Sequence, residues 1–85
     1  MQLQRDVNNR IQELGGRSAN ARKVIQALYT KPIMNAEDMQ KVTELTLPSV
    51  YSLIRDLEDL NILQEITGGQ RGRKYIFREY VDLFL

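Results

Sequence analysis

Between Thr46 and Phe77 the hydrophobic period changes once, and that change restricts the fold more than any other feature of the chain. Val50, Leu53, Ile54, Leu57 and Leu60 recur at helical spacing and give a broad apolar face. Pro48, Ser52, Arg55 and Asp59 fall on the opposite face, with Tyr51 and Asp56 beside them. Thr46 stands where an N-cap is expected, and Pro48 falls in the first turn, where its missing N–H costs nothing. Asn61 occupies the position of a left-handed C-cap residue. Beyond it, 62–67 and 74–77 read as strands. They flank Gly68-Gly69-Gln70-Arg71-Gly72-Arg73, a glycine-rich hairpin loop.

The first half of the chain is helical by the same test. Leu3, Val7, Ile11 and Leu14 form one narrow stripe, and Gly15-Gly16 is expected to end that helix. Ser18 is placed to cap the next helix, whose apolar residues are Ala21, Val24, Ile25, Leu28 and Tyr29. Lys31-Pro32 stops it, because the residue before proline disfavours helix. Ile33-Met34 is long enough for a stub of strand. Asn35 caps a short helix with Glu37 and Asp38 in its first turn and Met39 and Val42 on its inner face, ending near Thr43. Residues 78–85 return to helical spacing, with Tyr80, Val81 and Phe84 as the apolar side.

The predicted order is helix, helix, strand stub, helix, helix, strand, loop, strand, helix. A short helix, a tight turn and a longer helix followed by a hairpin is the winged helix-turn-helix arrangement. The expected class is therefore mainly α (small α+β), with a two- to three-stranded antiparallel wing. Residues 1–16 read as an N-terminal linker helix and 17–85 as the winged domain. The N-terminal stripe fits either a seam between two copies, giving a dimer, or packing within the chain against Tyr80, Val81 and Phe84. It spans only two heptads, which favours the second.

Composition decides what such a domain does not do. In 85 residues there is no His and no Cys, so the commonest general base and every thiolate metal site are missing. Asp56, Glu58 and Asp59 lie on an exposed face and do not converge into a shielded pocket. The glycine-rich loop lacks the Gly-Lys-Ser/Thr ending of a phosphate-binding loop. No catalytic residue, metal or cofactor is expected. Nothing in the sequence reads as a membrane span or secretory leader, and the expected location is cytoplasmic.

The formal net charge is only +1, so affinity for nucleic acid has to come from local placement. Arg71, Arg73, Lys74 and Arg78 crowd the hairpin with no acid before Glu79. Such cations suit a phosphate backbone or a minor groove; they also suit a hairpin tip kept soluble by charge. On the second motif helix, Ser49, Tyr51, Ser52 and Arg55 are the residues suited to DNA contact. Its later turns carry Asp56, Glu58 and Asp59, which repel phosphate and suit a solvated or protein-contact face. The candidate nucleic-acid residues are therefore Ser49, Tyr51, Ser52, Arg55, Arg71, Arg73 and Lys74. Arg17, Arg22 and Lys23 oppose the dipole of the second helix and read as surface charge.

Residues 21–85 also resemble the C-terminal winged-helix domain of many bacterial Fic (filamentation induced by cAMP) family proteins. The resemblance rests on Thr46-Leu47-Pro48-Ser49, Leu57-Glu58-Asp59-Leu60-Asn61-Ile62-Leu63, Glu65-Ile66-Thr67-Gly68, Arg71-Gly72-Arg73, and Tyr75-Ile76-Phe77-Arg78-Glu79-Tyr80. The chain departs from the pattern at Asn61, where Gly is usual, and at Leu47, often Arg or polar. Fic proteins transfer AMP from ATP to a target hydroxyl using a His-Pro-Phe-x-x-Gly-Asn-Gly-Arg type motif, of which this chain has nothing. The resemblance implies an accessory domain that binds DNA, or a protein-interaction or dimerisation module that positions a Fic catalytic domain without DNA binding.

Overall fold

A short loop with one left-handed residue separates the two central helices, and the rest of the fold is arranged around that pair. The structure is a computed structural model that describes residues 2–69 and 72–85. The helices are α1 (Gln2–Ile11), α2 (Ser18–Thr30), α3 (Ala36–Thr43), α4 (Leu47–Asp59) and α5 (Arg78–Asp82). The strands are β1 (Ile33–Asn35), β2 (Gln64–Glu65) and β3 (Lys74–Ile76). They form one antiparallel sheet in the order β1-β3-β2. The protein is thus mostly helical with a small three-stranded antiparallel sheet.

Helix ends show which local signals operate. Asn35 caps α3 as expected: its side chain accepts from the Asp38 N–H at 2.8 Å, and Asp38 Oδ2 accepts the Asn35 N–H at 3.3 Å. This is a reciprocal capping box closed by Asp in place of Glu. Glu44, with φ 63°, ends α3 and turns the chain toward α4. Asn61, with φ 60°, ends α4 in a Schellman motif. The Ile62 N–H reaches the Leu57 carbonyl and the Asn61 N–H reaches that of Glu58, both at 2.9 Å. Ile62 and Leu57 are both buried, which supplies the apolar contact that accompanies this motif.

Other ends differ from expectation. Ser18 does not cap α2. A 3-10 turn over Gln12–Arg17 already runs into the helix, and the Ser18 N–H bonds to the Gly15 carbonyl, leaving no break to cap. Likewise α1 gives way to that turn at Ile11, ahead of the two glycines. Gly15 marks a kink at φ 58°, ψ −119°, a conformation that favours glycine. Thr46 is the N-cap of α4 by backbone geometry, but its hydroxyl donates to Ser49 Oγ at 3.0 Å and not to the helix backbone. Strand β2 is shorter than 62–67 because the N–H groups of Ile62 and Leu63 turn back to Leu57. Helix α5 stops at Asp82, and tighter i to i−3 bonds carry the chain through Leu83 and Phe84.

One core unites these elements. Val7 and Ile11 of α1 lie in it beside Val24 and Leu28 of α2, Met39 of α3, Val50 and Leu57 of α4, and Phe77. The middle of the N-terminal stripe is therefore buried inside the chain, with Val7 and Ile11 each 0% exposed, while Leu3 and Leu14 at its ends are partly buried against the core. Arg10 ties α1 to the start of α5 through Glu79. A ladder of rings, Tyr29, Phe77, Tyr80 and Phe84, runs outward from the core, and Phe84 is largely exposed at its end. Among the described residues, no helix is long and apolar enough to cross a membrane.

Candidate functional site

The exposed stripe of α4 starts from Tyr51 and continues through Arg55 to Glu58, at spacings of four and three that stack residues on one helix face. The hairpin lies against this stripe. Burial raises the Tyr75 hydroxyl pKa above its ordinary 10.0, with Glu58 and Tyr51 adding to the rise and the Arg73 guanidinium opposing it. Burial likewise raises the Glu58 carboxyl above its ordinary 4.5; Glu65 and Asp59 add to this, and Arg73 and Arg55 oppose it. Arg55 and Arg73 thus both act on the Glu58 carboxyl, and Tyr51, Glu58 and Arg73 all act on the Tyr75 hydroxyl, which makes the hairpin and this stretch of α4 electrostatic neighbours.

The hairpin is organised by an acid. One oxygen of Glu65 accepts from the Thr67 N–H at 2.5 Å, the Thr67 hydroxyl at 2.6 Å and the Gly68 N–H at 2.5 Å. These contacts, the Thr67 hydroxyl first, lower the Glu65 pKa below its ordinary 4.5. The Thr67 hydroxyl in turn accepts the Lys74 N–H at 3.2 Å, and the Ile66 N–H meets the Lys74 carbonyl at 3.0 Å. Gly68 and Gly72 both have positive φ, which lets the chain reverse here.

The predicted contact residues are not all together. Arg73 is exposed, but its Nε donates to the Gly69 carbonyl at 2.7 Å, so part of its guanidinium closes the loop. Lys74 points elsewhere: strand alternation sends it toward Asn35, its register partner on β1, into a hollow with Lys31 and Asp38. Ser49 holds the Thr46 hydroxyl and lines a small hollow with Arg17 and Asn20. Ser52 is exposed next to Tyr51 and Arg55. Arg71 lies outside the described residues.

Two neighbouring arginines are engaged within the chain. Arg17 pairs with Asp56 at 2.8 Å, which fixes the 3-10 turn to α4 and removes one carboxylate from the exposed face. Arg78 donates from Nε to Gln64 at 3.3 Å. No family model, no curated protein and no solved structure matches the chain. The site is therefore read from its own chemistry. It offers the Arg55 and Arg73 guanidinium groups acting on the Glu58 carboxylate, with the Tyr51 ring and the Ser52 hydroxyl exposed on the same helix. Among the described residues, no group of three or more acidic side chains is placed to hold a metal ion.

Sequence reasoning missed Glu65 and Tyr75 as parts of this surface, and took Glu58 only as an acid of the later turns of α4 that repels phosphate. Spacing put Ser52 and Arg55 on one face of α4 with Tyr51 beside them. The approach of Arg73 and Tyr75 to that stretch of α4 was not readable, because that depends on where the hairpin folds back.

Proposed function

We propose that the chain is a winged helix-turn-helix module that binds nucleic acid chiefly through its backbone, with α3 and α4 as the helix pair and the β2–β3 hairpin as the wing. In this reading it serves as an accessory domain of a Fic-family protein, and AMP transfer belongs to a separate domain. The observation that supports it is that Arg55 from α4 and Arg73 from the hairpin act on the same Glu58 carboxyl, while Tyr51 and Arg73 act on the same Tyr75 hydroxyl. Arg55 and Arg73 supply charge for phosphates, Ser49 and Ser52 supply neutral hydrogen bonds, and Tyr51 supplies a flat ring at 45% exposure. Amide-shift titration of the intact chain with short duplex DNA tests it. Shifts confined to the hairpin and residues 49–55, fading as salt rises, support the proposal. No shift at low salt overturns it.

A second reading is favoured by Glu58 and Glu65, which face Arg73 and lower the potential of the same surface. In this reading the module contacts protein only, and positions or regulates a Fic AMP-transferase domain. A chain that leaves DNA unbound while altering the activity of a Fic domain added in trans has this role.

A further inference from the structure

Two adjoining hollows lie between the end of α2, β1 and α3. The larger encloses about 340 Å³ and has Ala27, Met34 and Val42 as its apolar floor, with Lys31 and Lys41 at its rim. The smaller encloses about 210 Å³ and runs from Lys31 to Lys74 past Ile33. The two share Lys31, Met34 and Asp38, so they adjoin across the Lys31–Asp38 pair and are taken together as one lysine-rimmed depression. Ile33 adds an exposed apolar edge at 38% exposure.

The charges around this depression are unequal. Its titratable lining consists of Lys31, Lys41 and Lys74 against Asp38 alone. Asp38 is already engaged, accepting from Lys31 Nζ at 3.2 Å and from the Asn35 N–H at 3.3 Å. Lys41 and Lys74 make no side-chain hydrogen bond or ion pair among the described residues. The depression is thus an apolar floor bounded by three lysines: Lys31 is paired with Asp38, Lys41 lies near enough to act on the same carboxyl, and Lys74 stands at the β3 end.

We propose that this lysine-rimmed depression docks an acidic amphipathic segment of a protein partner. Its apolar side chains would cover Ala27, Met34 and Val42, while its carboxylates meet Lys41 and Lys74. A phosphate backbone fits the rim but leaves the floor uncovered, whereas an amphipathic acidic segment satisfies both. The site lies away from Tyr51 and Arg55, since no residue of α4 lines it, and it shares only Lys74 with the candidate nucleic-acid residues.

The test uses the intact isotope-labelled chain and a synthetic helical peptide with leucines along one face and glutamates elsewhere. Saturable shifts are expected at Ala27, Thr30, Lys31, Met34, Lys41 and Val42, and none at Tyr51 or Arg55. The Lys41→Glu, Lys74→Glu double variant should weaken binding roughly tenfold, and a lysine-for-glutamate peptide should not bind. Both changed side chains are exposed, and an unchanged amide spectrum of the free variant verifies its fold. The proposal is overturned if the acidic peptide moves none of these amides at millimolar concentration, or binds the double variant equally well. It is also overturned if the same amides move with duplex DNA, or with rising protein concentration alone.

Discussion

Arg10 grips both carboxylate oxygens of Glu79, at 2.7 and 3.1 Å, across 69 residues of sequence. The same guanidinium donates to the Leu60 carbonyl at 3.0 Å, so one side chain joins α1, the end of α4 and the start of α5. The pair is partly open to solvent, with Glu79 at 42% exposure, so its Coulombic share is small. Truncation to Arg10→Ala also strands the Leu60 carbonyl and should cost about 1–2 kcal/mol in urea melts. Arg10→Lys should recover only part of this, because a single ammonium cannot reproduce the fork.

Ile11 is wholly buried in the common core, which makes α1 part of the folding unit. Ile11→Ala should cost about 2–5 kcal/mol, comparable with the whole stability of a small domain. A chain lacking residues 2–14 should lose cooperative unfolding as followed by circular dichroism. A sharp, unchanged transition in that chain would refute the assignment.

Capping of α3 gives a stability that depends on acid. Asn35→Ala should cost about 1 kcal/mol. The Asn35 N–H, with Lys31, holds the Asp38 carboxyl below its ordinary 3.8. A lowered carboxylate stabilises the fold fully above its unfolded pKa and loses that contribution as pH falls through the folded one. Melting temperature should therefore drop as pH falls below about 4, and Asp38→Asn should flatten that limb.

Asn61 sits at φ 60°, where a side chain is tolerated and glycine is preferred. Asn61→Gly should leave stability unchanged or raise it by about 0.5 kcal/mol, whereas Asn61→Ala should lower it by about 1 kcal/mol. Denaturant midpoints at constant m-value distinguish the two.

Glu58 faces the cations of the proposed nucleic-acid surface. Glu58→Gln should tighten DNA binding about fivefold at low salt, the effect of removing roughly 1 kcal/mol of like-charge repulsion. Arg55→Ala should instead flatten the salt dependence by about one unit of log-log slope. The raised pKa of Glu58 also penalises the fold above that pKa, so Glu58→Gln should stabilise the chain near neutrality. That gain should vanish as pH falls below the ordinary 4.5.

Much of the fold was legible because its signals are local. The Asn35 and Asn61 caps, the helical stripes and the glycine-rich reversal each depend on residues within a turn of one another. Ser18 shows the limit: a serine before a helix caps it only if the chain enters from outside, and here a 3-10 turn leads straight in. The charged surface was less legible. Arg17 meets Asp56 from 39 positions away, Arg73 turns back to Gly69, and Lys74 alternates onto another face. Clustering in sequence predicted a single basic wing. Among the described residues those cations have three surroundings: Arg73 closes the loop on Gly69, Lys74 lies beside Asn35 of β1, and Arg78 donates to Gln64.

The strand order carries a consequence for assembly. β3 is the middle strand, yet it follows every other strand in the chain, and it pairs Ile33 with Ile76. During synthesis, β1 has no edge to join until the hairpin has left the ribosome. Closing that long loop costs entropy before its hydrogen bonds form, so the helices should gain structure first and the sheet last. Substitutions in β1 should then act mainly on the unfolding rate, and those at the α3–α4 contact on the folding rate.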